Sequence, residues 1–472
     1  DLPTPAFIRE AAKAALDEGE TFYNHNLGIV ELRESIAGYV NRLHAPRVAV
    51  DADRIAVTSS GVSALSLVAQ SLFDPGDRVA IVTPVWPNVT AQPAIMGAQV
   101  VRVPLACRAG RWTLDLQRLL DAAPAGTRAV IVNSPNNPTG WVMPQDDWNA
   151  LLAHCRRHGI WLIADDAYER LVFDGSSHAP GVLARIDPDE RFISVNTFSK
   201  AWTMTGFRLG WLVAPRRFVA EVAKMVEFNT SCAPTFLQRA GIAAIEGGDT
   251  LIAETRARLQ GSRDALVRRL APLPGVECAP PDGAMYLFFR VAGCADSLDF
   301  AKRLVAEVGL GLAPGAAFGP EGEGCLRWCF AAQRRLVDDG AALGRRVRAH
   351  VEGGTLVPDE VVGEAVAGRL ATGSGGEVEL GLGHQAGRGD GRRTAVQAHP
   401  VQVSADGIGV GEGGDDPQRS AAGGALQVEA EHPRQQLRPR QTAGSPAGSG
   451  GVVGPRRGHD PGAAGCMRRQ HP

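Results

Sequence analysis

No aromatic residue follows Phe330, no lysine follows Lys302 and no asparagine follows Asn229 in this chain of 472 residues. Beyond residue 353 the sequence is dominated by Gly, Ala, Arg, Val, Glu, Gln and Pro. Such a segment buries too little apolar surface to offset the entropy of ordering it, so disorder is expected over 354–472. Two origins stay open for it: a natural flexible tail, or a GC-rich gene read in another frame after a frameshift. An excess of one charge is also missing. Against 51 Asp and Glu stand 49 Lys and Arg, a formal charge of -2, which gives no electrostatic footprint for nucleic acid or an anionic membrane. No apolar run approaches membrane-spanning length and no signal-peptide pattern opens the chain, so a cytoplasmic protein is expected. The 8 cysteines form no CxxC pair and no regular framework. Neither a metal nor a disulfide scaffold is expected, and Cys325 and Cys329 read as reduced core thiols. The chain opens at Asp1 rather than methionine, directly into Leu2-Pro3-Thr4-Pro5, as if its start were missing.

What is present is an α/β pattern. From residue 55 to about 215, short β-branched runs alternate with amphipathic stretches, the signature of a largely parallel sheet. The expected strands are Ile55 to Thr58, Val79 to Thr83, Val100 to Val103, Ala129 to Val132, Trp161 to Ala164, Phe192 to Val195 and Leu209 to Val213. Helices are expected over Gly61 to Leu72, after the capping hydroxyls of Ser59-Ser60, and over Asp146 to His158, after Pro144. Residues 216–271 read as long helices, the second rich in Arg. After Pro274 a second, smaller α/β pattern contains Met285 to Phe289, Phe300 to Val308 and Cys325 to Phe330, closed by a helix from about Arg335 to His350.

Ligands of open α/β sheets bind beyond the carboxyl ends of the strands. Five polar loops fall there: Ser59-Ser60-Gly61, Trp86-Pro87-Asn88, Asn136-Asn137, Asp165 with Tyr168, and Thr197 to Lys200. In Thr197-Phe198-Ser199-Lys200 an amine able to form a Schiff base lies beside hydroxyls, and the fixed cation Arg208 follows in Thr205-Gly206-Phe207-Arg208-Leu209-Gly210-Trp211. This is the equipment for a phosphorylated aldehyde cofactor. A lone lysine at such a junction is ordinarily a solvated surface group, so the other loops carry the argument. Pyridoxal phosphate works as an electron sink only while its pyridine nitrogen stays protonated, which calls for a buried carboxylate. Asp165 is the natural candidate. Asp166 is its neighbour, but successive side chains at a strand end point to opposite faces, so one alone can serve. Ser60-Gly61-Val62 at a helix start provides N–H groups for a phosphate, Arg208 adds a bidentate cation, Ser199 or Thr197 a hydroxyl, and Trp86 a flat face for stacking.

The run Asn133-Ser134-Pro135-Asn136-Asn137-Pro138-Thr139-Gly140, then Asp165-Asp166-Ala167-Tyr168-Glu169-Arg170, Phe198-Ser199-Lys200 with Thr205-Gly206-Phe207-Arg208, and Leu326-Arg327-Trp328-Cys329-Phe330 resembles the class I/II aminotransferases of the aspartate aminotransferase fold, fold type I. The resemblance covers residues 1 to about 350. It implies a mostly parallel large domain over 31–255, a smaller α/β domain over 256–353, and an N-terminal segment over 1–30 shared between the small domain and a dimer contact. It implies that Lys200 carries the internal aldimine and shuttles the proton between the substrate α-carbon and the cofactor. Asp165 would pair with the pyridine nitrogen, its spacing to Tyr168 deciding against Asp166. Asn137 and Tyr168 would bind the phenolic oxygen and Trp86 would stack on the ring. Ser60, Gly61, Val62, Thr197, Ser199 and Arg208 would surround the phosphate, Arg327 would bind the substrate α-carboxylate, and Asn137 would also contact the substrate. Tyr23, in Thr21-Phe22-Tyr23-Asn24, would reach the phosphate of a partner subunit, implying a homodimer with shared sites.

The implied activity moves the amino group of an L-amino acid to a 2-oxo acid, 2-oxoglutarate by family habit. A β-lyase on the same fold, a non-catalytic sensor and an inactive product are the rival readings. Val62 stands where many relatives have a hydroxyl or lysine side chain, so only its N–H serves. No arginine can be placed by motif for a second substrate carboxylate, so aspartate, aromatic and neutral donors stay open.

Overall fold

The computed structural model describes residues 2–331; the helix expected at Arg335 to His350 and the tail after residue 353 lie outside them. Seven strands form one sheet, in the spatial order Ile55–Thr58, Gly210–Val213, Phe192–Thr197, Trp161–Asp165, Ala129–Asn133, Arg78–Thr83 and Gln99–Pro104. All run in one direction except Gly210–Val213, which is antiparallel to both neighbours. The strands read as continuous apolar runs because both faces are covered. Val57, Val82, Val130, Val132, Leu162 and Ala164 pack toward Leu32, Ile36, Trp148, Leu151, Ala240 and Ala244. The alternating set, Ala56, Val79, Ile81, Ala129, Ile131, Ile163 and Val195, packs toward Leu65, Val68, Phe218 and Val222. Each fully buried Val, Ile or Leu contributes roughly 1.5–3 kcal/mol, so this two-faced core is the main stabilising element of the fold.

Helix Gly61–Leu72 begins where its cap dictates, with Ser60 Oγ accepting from Ser63 N–H at 3.1 Å. Helix Gln145–His158 carries Asp146 and Asp147 in its first turn and Arg156, Arg157 and His158 in its last, both signs complementing the dipole, and it ends at Gly159 with φ 64°. The expected long helices over 216–271 are three: Arg216–Asn229, Thr235–Gly247 and Asp249–Leu270. Pro234 caps the second, and the chain bends at Gly248, where a Cβ would lie 2.1 Å from the Ala244 carbonyl oxygen. Two further helices, Ala6–Asp17 and Val30–His44, precede the sheet.

The smaller sheet is antiparallel, in the order Val276–Glu277, Tyr286–Val291, Cys325–Cys329 and Ala313–Pro314. Leu287, Phe289, Leu326 and Trp328 cover one face with Leu259, Leu266 and Leu270. Arg327 lies opposite Phe288 and Cys329 opposite Tyr286. Cys325 is buried but Cys329 is exposed, so only the first is a core thiol. Among the described residues no helix is long and apolar enough to cross a membrane, and no group of three or more His, Cys, Asp or Glu could hold a metal ion.

Candidate active site

Because six of the seven strands are parallel, the loops after Thr58, Thr83, Asn133, Asp165 and Thr197 leave the same edge of the sheet. Asp165 ends the strand Trp161–Asp165 and is buried, 4% exposed. Its carboxylate accepts from Ala167 N–H at 3.3 Å. Burial pushes this carboxyl up to about 6, against the opposing pull of the Ala167 N–H and the Lys200 charge. Asp166 turns the other way, toward Ser194, whose hydroxyl donates to it. Burial and the charge of Glu169 push it up to about 7.

Lys200 lies just past the strand Phe192–Thr197, its Nζ 5.7 Å from the centre of the Tyr168 ring. Burial lowers its pKa, helped by the positive charges of Arg327 and Arg208, which favours the neutral amine a nucleophile requires. Tyr168 Oη lies 2.9 Å from Tyr286 Oη. Burial and the neighbouring Tyr286 raise the Tyr168 phenol well above its ordinary value. The backbone N–H of Asn137 donates to Asn133 Oδ1 at 2.8 Å, and its side-chain Oδ1 accepts from Arg327 Nη1 at 2.9 Å. Arg327 also lies over two rings, its Cζ 4.3 Å from the Tyr286 centroid and 4.8 Å from that of Phe318. Its buried Nε has no partner among the described residues. A guanidinium held by three contacts, with part of its fork unused, is prepared for a carboxylate.

The helix start at Gly61 is seated directly on the sheet. A Cβ at Gly210 would lie 2.6 Å from Gly61 N, and a Cβ at Gly61 would lie 3.2 Å from Thr197 Cβ. With Ser60 Oγ spent on Ser63, the N–H groups of Gly61 and Val62 have no acceptor inside the helix, which suits an anion. Thr197 and Ser199 hydroxyls bond each other at 3.0 Å, and the Thr197 hydroxyl also accepts from Ser199 N–H at 3.2 Å. Arg208 has φ 51° and gives Nη1 to Thr205 O at 2.8 Å, leaving an exposed side chain. Trp86 is half-buried and packs against the core on the Gly61–Leu72 side of the sheet. Tyr23 is 88% exposed.

A buried carboxylate with no cation bonded to it among the described residues, a lysine amine held toward neutrality and a helix start open to an anion fit the ring nitrogen, aldehyde and phosphate of pyridoxal phosphate. Tyr286 and Phe318 belong to the same constellation but carry no motif of their own. Tyr286 reads in sequence as one more apolar strand residue, and the only signal that could have singled it out is a phenol in a strand next to buried positions.

A family model described as aminotransferase class I and II matches residues 1–339. The chain is 31% identical over 337 residues to an aspartate aminotransferase of Pyrococcus horikoshii, covering 71% of this chain and 85% of that protein. It is 33% identical over 328 residues to an arginine–pyruvate transaminase of Pseudomonas aeruginosa, covering 69% and 82%. The crystal structure of an aromatic aminotransferase from Pyrococcus horikoshii superimposes with a TM-score of 0.69 at 30% identity, over 74% of this chain and 93% of that one.

Proposed function

The chain belongs to the class I and II aminotransferases and is a pyridoxal phosphate-dependent transaminase of fold type I; from that premise we propose that Lys200 is its catalytic amine and Arg327 its carboxylate-binding group. The observation that carries this reading is the half-buried Lys200 amine over the Tyr168 ring, within the electrostatic reach of Asp165 and Arg327. Bound there, the cofactor supplies an aldehyde that takes up an amino group and a protonated ring that draws off the electrons left on the α-carbon.

Lys200 Nζ would hold the cofactor by its aldehyde and, as a free amine, would take the α-proton as a general base. Asp165 keeps the ring nitrogen protonated. Arg327 receives the α-carboxylate through the part of its fork that Asn137 does not use, which orients the α-hydrogen toward the lysine. Asn137 and Tyr168 bind the phenolic oxygen, and Trp86 stacks on the ring. Ser60, Gly61, Val62, Thr197, Ser199 and Arg208 take the phosphate, with Tyr23 supplied by a second copy in a cytoplasmic homodimer. The large domain at 31–255 bears the cofactor, and the smaller domain at 256–353 brings the carboxylate clamp. Amino and oxo acids are the substrates; 2-oxoglutarate is the acceptor we favour. The donors named for the relatives, aspartate, arginine and aromatic amino acids, differ enough that the donor is a matter for a panel.

Incubation of the loaded enzyme with single amino acids and no acceptor tests the reading. Conversion of the cofactor to its amine form, with one equivalent of 2-oxo acid, is expected. Ammonia and repeated turnover with the cofactor unchanged would instead make the protein a lyase.

A further inference from the structure

Arg327 owes part of its position to residues far from it in sequence. Phe318, one of the two rings against its guanidinium, ends the turn Gly315–Phe318. The Phe318 carbonyl accepts from Val85 N–H at 3.3 Å and from Arg102 Nη2 at 3.3 Å. Arg102 stands in Gln99–Pro104, an edge strand of the large sheet. The same guanidinium grips Glu321 with two bonds, Nε to Oε1 at 2.7 Å and Nη2 to Oε2 at 2.8 Å. The partners are 219 residues apart, and their side chains are only 27% and 17% exposed. A bidentate, charge-assisted pair shielded to this extent is stronger than an open surface ion pair.

The turn is shaped for this grip. Gly319 has φ 118°, and a Cβ there would lie 1.8 Å from Arg102 Nη2, so only glycine lets the guanidinium cross the chain. Across the turn, a Cβ at Gly315 would lie 1.9 Å from Gly322 O. A loop folded this closely on itself transmits a displacement of Glu321 to Phe318 instead of absorbing it. Without the ion pair the turn keeps its local supports, the Phe288 ring at 5.7 Å and the bond from Ala316 N–H to Ser297 Oγ at 3.1 Å. What it loses is the charged part of its attachment to the large sheet, with the Val85 N–H bond to the Phe318 carbonyl left there.

We propose that Arg102 and Glu321 form a latch that pins the Phe318 turn to the large sheet and thereby holds Arg327 in the orientation that receives the substrate carboxylate. Both are positioning residues, and the inference rests on the reading of Arg327 as the carboxylate-binding group. The effect falls on every substrate alike, because all of them present the same α-carboxylate.

The test compares the loaded enzyme with Arg102→Gln, Glu321→Gln, the charge-exchanged double variant Arg102→Glu with Glu321→Arg, and Arg327→Lys. KM and kcat are measured for L-aspartate, L-phenylalanine and L-alanine with 2-oxoglutarate, alongside cofactor content. Each single latch variant is expected to raise KM roughly five- to tenfold for every donor that turns over, with kcat changed less than about twofold, and the exchanged pair to recover part of the loss. Unchanged KM in both Gln variants, while Arg327→Lys still raises it, overturns the latch and leaves the carboxylate clamp standing. Unchanged KM in Arg327→Lys overturns the clamp and the latch with it. A loss of cofactor and kcat with KM constant in the Gln variants marks a merely structural pair and also overturns the proposal.

Discussion

The two walls of the site are built by different means. On the large-sheet side, Asp165, Thr197 and the Gly61 helix start are delivered by strand ends and helix caps, so backbone geometry places them. On the small-sheet side, Arg327 is held by side chains: the Asn137 amide and the rings of Tyr286 and Phe318. Backbone placement suits a cofactor whose ring and phosphate do not vary from one turnover to the next. Side-chain placement suits a substrate clamp, because a ring or an ion pair can be altered without disturbing the sheet. On the roles proposed for these residues, the first wall would govern whether any chemistry occurs, and the second how well a given substrate is held.

That division predicts the largest loss on the first wall. Lys200→Ala would remove both the proposed covalent attachment and the proposed proton carrier, and kcat/KM is expected to fall by about 10⁴-fold or more. Borohydride reduction followed by intact-mass measurement should add the cofactor's mass to the parent and none to the variant. A variant that still gains that mass places the attachment on another lysine and dissolves the comparison.

Asp165→Asn comes next, with an expected loss of about 10²- to 10³-fold in kcat/KM. Its stability should move the other way. The folded carboxyl, raised from 3.8 to about 6, keeps its proton over a range in which the unfolded chain has released it. The cofactor-free protein therefore loses stability as pH rises through that range, by about 3 kcal/mol from a shift of that size, and the loss is complete above it. Asparagine has no such titration. Cofactor-free Asp165→Asn should melt higher than its parent at pH 7.5, and the two should converge toward pH 4. Parallel melting curves across that range would show that Asp165 is not held against its own solvation.

The first wall was legible in the sequence and the second largely was not. Strands buried on both faces show as apolar runs, and a helix such as Gly61–Leu72 announces itself by the serine that caps it. A parallel sheet then sends the following loops to one edge, which is why Ser60, Asn137, Asp165, Thr197 and Lys200 could be grouped before any coordinates. Arg327 emerged through a family motif alone. Tyr286 and Phe318 have no local signature, since an aromatic residue in an apolar stretch reads as core whichever way it faces. Arg102 and Glu321 meet only because the turn after Pro314 returns to the edge of the large sheet, a tertiary fact that no spacing encodes. The break between Thr235–Gly247 and Asp249–Leu270 was hidden for a similar reason: Gly248 is demanded by the approach of Trp202, whose Nε1 a Cβ would meet at 2.7 Å.

The smallest effect belongs to the second wall, at Tyr286. Its hydroxyl bonds Tyr168, whereas its ring supports Arg327, so Tyr286→Phe separates the two roles. Losing one hydroxyl contact of this kind costs about 0.5–1.5 kcal/mol, or roughly two- to tenfold. Because the ring under Arg327 remains, KM should hold and the loss should appear in kcat, through a Tyr168 phenol no longer fixed by its partner. Removing the ring as well, with Tyr286→Ala, should add a rise in KM for every donor, as the guanidinium loses a cation–π contact. If Tyr286→Phe raises KM and spares kcat, the hydroxyl is serving the carboxylate clamp rather than the cofactor wall, and the boundary between the two walls must be moved to run between Tyr168 and Lys200.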